Sequence, residues 1–137
     1  MNTETKPLLL SQRIVQLCFI LFASIAIFGG ALQMILGQPE STPRLDNIHR
    51  FLAGIYLSCG ILAFWTAVTV RKQNTLIYLL SLGAFLGGVG RMVSMSIVGL
   101  PEPHALWIGY LASEIVIPII ATVAQLATNR KLNSKLS

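Results

Sequence analysis

The chain has 137 residues, 54% hydrophobic and only 11% charged, with a mean hydropathy of +0.71. Soluble domains carry about 25% charged residues, so the composition points to lipid as the solvent and to a single membrane domain over residues 1–137. The formal charge of +5 would raise nucleic acid in a soluble protein, but the basic residues sit mostly at the ends of apolar blocks. No basic stripe interleaved with aromatics occurs, and nucleic acid is excluded as a partner.

A membrane-spanning helix needs about 20 mostly apolar residues. The first such block is IVQLCFILFASIAIFGGALQMIL, residues 14–36, ended by Gly37 and the turn-rich GQPESTPR. Lys6 and Arg13 precede it, as basic residues precede a signal peptide. Its apolar stretch exceeds the roughly 7–15 residues of a signal core, so a retained helix is expected. The segment 37–49 reads as an outer loop, because Pro39, Pro43 and Ser41–Thr42 disfavour helix. It would lie as a flap over the outer face, with a short interfacial helix around RLDNIHR as an alternative.

The second block, FLAGIYLSCGILAFWTAVTV, covers 51–70 and stops at Arg71 and Lys72. The third, TLIYLLSLGAFLGGVGRMVSMSIV, covers 75–98 and closes with GLPEP. The fourth, ALWIGYLASEIVIPIIATVAQLAT, covers 105–128 and stops at Arg130 and Lys131. The fold predicted is all-α, an up-down bundle of four transmembrane helices. Short links make helices two, three and four sequential antiparallel neighbours.

Lys6, Arg13, Arg71, Lys72, Arg130, Lys131 and Lys135 would share one side of the membrane. The other side holds only Arg44 and Arg50 as cations, with Glu40, Asp46 and Glu102. The positive-inside rule then places both termini in the cytoplasm.

Three ionisable residues need another account: Arg50, Arg91 and Glu114. At about 1.5 Å rise per residue, Arg91 lies roughly 11 Å, and Glu114 roughly 14 Å, below the outer ends of their helices. A charge at the centre of a membrane helix costs about 2.5–3.5 kcal/mol. Opposite charges at matching depth on adjacent helices predict an Arg91–Glu114 contact, direct or through water.

Helical spacing supports this. Gly83, Gly87, Arg91 and Ser94 form a strip on helix three, a small-residue pattern expected to serve helix packing. Tyr110, Glu114, Pro118, Ala121 and Gln125 share a face of helix four. Arg50, Gly54 and Leu57 line up on helix two, with Tyr56 nearby. The predicted polar cluster is Arg50, Arg91, Glu114, His49 and Tyr110. Its two arginines and one glutamate would leave it net positive. The structural alternative is that the pair only fixes helix register and that Arg50 snorkels to head groups. Trp65 and Trp107 read as interfacial anchors, and His104 as a loop residue. Cys18 and Cys59 lie inside apolar blocks and read as small buried hydrophobes. No metal-ligand spacing, phosphate loop or catalytic motif is present, so no metal and no catalytic residue is predicted. The sequence specifies no cofactor.

The stretches NIHRFLAGIYLSCGILAFW and GGVGRMVSMSIVGLPEPH, with the Glu of ASEIVIP, resemble the bacterial membrane family called domain of unknown function 4345. The resemblance implies a four-helix membrane protein whose recurrent features fall on Arg50, Gly54, Gly90–Arg91, Gly99–Pro101 and Glu114. It covers helices two to four and helix one less clearly. A more distant similarity is to DoxX-like small membrane proteins, also four-helix bundles. Neither implies an activity.

Three roles are open. The first is a binding or accessory protein in contact with membrane lipid, holding an anionic lipid head group or a quinone-like ring in an outer-leaflet polar pocket. The second is a structural or assembly subunit of a larger membrane complex. The third is a small homodimeric transporter, which Arg91 disfavours because its charge would repel cationic substrates from Glu114. Enzymatic activity is not expected: Glu114 is the sole candidate base, and no nucleophile accompanies it.

Overall fold

A computed structural model describes residues 7–38 and 41–134. Lys6, Pro39, Glu40 and Lys135, which enter the expectations above, lie outside the described residues. The described chain contains α1 (Leu10–Leu36), α2 (Pro43–Val68), α3 (Thr75–Val98) and α4 (His104–Asn133), with a short 3₁₀ turn at Val70–Lys72. No strand occurs among the described residues. All four helices are long and apolar enough to cross a membrane. The protein is an all-helical, multi-pass membrane protein.

The helices start where local chemistry satisfies their free N–H groups. The Gln12 side chain accepts a hydrogen bond from the Leu9 N–H at 3.0 Å and so caps α1, which begins at Leu10 and not at residue 14. Thr42 Oγ1 accepts from the Leu45 N–H at 3.3 Å, Pro43 stands in the first turn and Asp46 adds negative charge beside it. This corrects the expected loop over 37–49, because residues 43–49 are helix and continuous with the second span. Proline at the first helical position lacks only an N–H that would be unpaired there anyway, so Pro43 opens the helix and does not break it. His104 is likewise the first residue of α4, and α4 continues past residue 128 to Asn133.

The packing is uneven. α1 packs most extensively on α2 and also contacts α4, while α3 packs on α4; α2 and α3 scarcely touch. The expectation that helices two and three are packed neighbours is therefore corrected. Side-chain size accounts for the close pairing of α1 with α2. A Cβ added at Gly30 would come within 2.7 Å of the Leu57 backbone nitrogen, and one at Gly60 within 2.8 Å of the Ile27 backbone nitrogen. α1 and α2 thus meet backbone to backbone, as small residues permit in membranes. α3 buries only Ile77, Ser81 and Gly88.

The core consists mainly of small residues, with Val15, Phe19, Ala23, Ala63, Ala67, Ile77, Ala121 and Ala124 among them. It sits toward the end of the bundle that carries the termini. Polar ties reinforce that end: Thr128 Oγ1 donates to Ser11 Oγ at 2.7 Å, and Gln16 Nε2 to the Ala67 carbonyl at 3.0 Å. Gln125 and Asn129 both donate to Asn74 Oδ1, at 3.0 and 2.9 Å. Toward the opposite end α2 and α3 part and leave a cleft. Large apolar side chains such as Phe28, Ile61, Phe64 and Ile97 are exposed around the bundle, consistent with contact to membrane lipid.

Candidate functional site

The cleft between α2 and α3 has a volume of about 670 Å³. Its α3 wall includes Gly83, Gly87, Gly90, Arg91 and Ser94; Tyr56 and Cys59 face it from α2, Gln33 from α1 and Glu114 from α4. A Cβ added at Gly83, Gly87 or Gly90 would meet nothing within 4 Å. The glycine strip predicted to serve helix packing therefore borders open space, and its lack of side chains gives the cleft its width. The packing glycine of α3 is Gly88, which lies against Glu114 and Ile115. Its position beside Gly87 in the sequence conceals this difference.

Arg91 and Glu114 meet directly. Arg91 Nε donates to Glu114 Oε2 at 2.7 Å, with the glutamate side chain 8% and the arginine side chain 29% exposed. The buried face of α4 carries Glu114, Pro118, Ala121 and Gln125, and that face turns the carboxylate inward. Two aromatic rings complete the setting: the Arg91 Cζ lies 5.4 Å from the Tyr110 ring centroid and 5.5 Å from that of Trp107. The rings stand edge to face with centroids 6.1 Å apart. Distances under about 6 Å put both within cation–π range. Trp107, expected as an interfacial anchor, packs on the arginine of the ion pair. It is a site residue that sequence reading missed, and its spacing of three from Tyr110 on one helix face was the available signal.

Arg50 does not join this pair. Its Nε donates to Asp46 Oδ2 at 2.8 Å, and Nη1 donates to the carbonyl of Met34 and, at 3.5 Å, to that of Ile35. Arg50 thus ties α2 to the last turn of α1, where unpaired carbonyls attract a cation. Gly37 closes that turn at φ +63°, and a Cβ there would collide with Arg50 and Asp46. His49 is exposed and lines a separate hollow of about 290 Å³ with Gly37, Gln38, Trp107 and Gln33. Of the predicted cluster, the structure brings together Arg91, Glu114 and Tyr110, and sets Arg50 and His49 apart. Gln33 borders both the hollow and the cleft.

With Arg50 elsewhere, the expected net positive site is corrected: the cleft lining holds one cation and one anion. Tyr56 faces the same space and packs over Gly29, where a Cβ would lie 3.3 Å from its ring. Cys59 also lines the cleft, whereas Cys18 is buried in the core. Among the described residues no group of three or more His, Cys, Asp or Glu is placed to hold a metal ion.

The family described as Domain of unknown function (DUF4345) matches residues 11–125 of the chain. No curated protein and no solved structure matches it.

Proposed function

The chain belongs to the DUF4345 family, whose description names no activity, and from the geometry we propose that it binds a lipid- or quinone-like amphiphile in the cleft between α2 and α3. One observation carries this reading: a wide, mostly apolar space between two helices that scarcely touch contains a single ion pair at one end. Apolar clefts with a few placed polar groups are the usual form of small-molecule sites. The seam between α2 and α3 gives a hydrocarbon chain a way to the surrounding lipid, while Arg91, Tyr56 and Gln33 meet the polar head.

The reading is of a binding protein and not an enzyme: Glu114, the sole carboxylate lining the cleft, is engaged by Arg91. The basic residues Arg13, Arg71, Lys72, Arg130 and Lys131 support an orientation with both termini in the cytoplasm of a bacterium and the cleft in the outer leaflet of its inner membrane. Fusion of a periplasm-active reporter enzyme to the C-terminus should give no activity; strong activity would reverse the orientation.

Native mass spectrometry of the protein extracted with its surrounding lipid tests the binding role. The wild type should retain a bound amphiphile, and Gly87→Leu, which places a side chain in open space, should lose it without unfolding. An identical bound species in both would overturn the reading. A second reading, an assembly subunit, is favoured by the sparsely buried α3, whose open face could receive a partner helix. A stable stoichiometric protein partner in mild detergent, displaced by the same substitution, would establish it instead.

A further inference from the structure

Resting on the proposed cleft binding, we infer that Arg91 recognises a neutral carbonyl oxygen, of an acyl ester or of a ring, and not an anionic head group. Three observations lead there. The first is a donor surplus. A guanidinium carries five N–H donors, and Arg91 donates to Glu114 through Nε alone. Its terminal amino groups make no hydrogen bond among the described residues, although the side chain lines the cleft. Donors left without acceptors in a layer that lacks water call for acceptor oxygens.

The second is orientation. Trp107 and Tyr110 pack on the guanidinium, and neither lines the cleft. Together with the Glu114 contact they fix the arginine, so its open edge is the one that meets the cleft. Tyr56, whose hydroxyl makes no hydrogen bond among the described residues, adds a further donor from the opposite wall.

The third is charge. Arg91 and Glu114 balance, and Arg50 is bound to Asp46 and to the end of α1. A neutral carbonyl leaves the layer neutral. An anion would add an uncompensated charge, a penalty equivalent to roughly 100-fold in affinity.

The test uses the full chain in lipid nanodiscs with Trp65→Phe, which leaves Trp107 as the single tryptophan because the sequence has two. Three probes of matched chain length compete for the site: an acyl methyl ester, an alkyl benzoquinone and an alkyl sulfonate, the ester and sulfonate brominated to quench Trp107. The ester or the quinone should bind at least ten-fold more tightly than the sulfonate, and whichever is tighter identifies the source of the carbonyl. Arg91→Lys keeps a cation for Glu114 but removes the planar edge, and should weaken the preferred neutral probe about ten-fold. Tightest binding by the sulfonate, or an unchanged affinity in Arg91→Lys, would overturn this inference and leave the cleft reading in place. Failure of all three probes, with the same co-purifying species in wild type and Gly87→Leu, would overturn both.

Discussion

Arg91 Nε and Glu114 Oε2 stand 2.7 Å apart, joining α3 to α4 beside the cleft between α2 and α3. The two residues are 23 positions apart in the chain and become neighbours only because the short Gly99–Pro103 connection folds α4 back along α3. Removing one partner leaves the other charged in a largely dry setting. Arg91→Ala or Glu114→Ala should each cost about 3–5 kcal/mol. The double variant should cost clearly less than the sum of the two, measured by unfolding in detergent. Additive losses would mean that the pair is not coupled.

The glycines divide into two classes. Gly30→Ala and Gly60→Ala force Cβ atoms to within 2.7–2.8 Å of the facing helix, and each should cost about 1–3 kcal/mol through overpacking. Gly83→Ala and Gly90→Ala meet open space and should leave the melting temperature unchanged or slightly raised, since alanine favours helix. Equal losses at all four positions would show that α3 packs against something that fills the cleft.

Arg50→Ala separates the two arginines. Arg50 is 43% exposed and serves the end of α1, so its loss should destabilise the protein by less than half as much as Arg91→Ala. The same substitution should leave probe affinity in the cleft within two-fold of wild type. A large fall in affinity would return Arg50 to the site.

At the end that carries the termini, Asn74 Oδ1 accepts from both Gln125 and Asn129. Asn74→Ala removes the acceptor that both donors share, leaving Gln125 Nε2 with Asn129 Oδ1 and Asn129 Nδ2 with the Tyr78 hydroxyl, whereas Gln125→Met removes a side chain whose own Oε1 is already unpartnered. Interhelical hydrogen bonds in membranes average about 0.6 kcal/mol. Asn74→Ala should therefore cost about 1 kcal/mol or more, and Gln125→Met less, in the same unfolding assay.

The cysteines report on access. Cys59 lines the cleft and Cys18 is buried in the core. A small apolar thiol reagent should modify Cys59 well before Cys18, and an amphiphile bound in the cleft should slow that reaction several-fold. Peptide mapping after timed labelling would show the order, and faster modification of Cys18 would place the access route elsewhere.

Composition and block length determined much of this protein. Four long apolar runs in 137 residues leave helices as the way to satisfy backbone groups in lipid. The buried face of α4 was equally legible, because 3.6-residue periodicity places Glu114, Pro118, Ala121 and Gln125 on one stripe. The Arg91–Glu114 contact followed from depth, which rise per residue fixes within a single helix.

Tertiary structure decided what local pattern leaves undetermined. Gly87 and Gly88 are adjacent and chemically identical, yet one borders open space and the other packs on Ile115, because a step of one residue turns a helix by about 100°. The same limit misplaced Arg50: depth brought it near the cluster, but its direction around α2 carried it to the end of α1. Which helices touch, and which leave a gap, depends on how closely particular backbones approach. Sequence order supplies neighbours along the chain, and only the assembled packing of α1 on α2 and of α3 on α4 opened the space between the pairs.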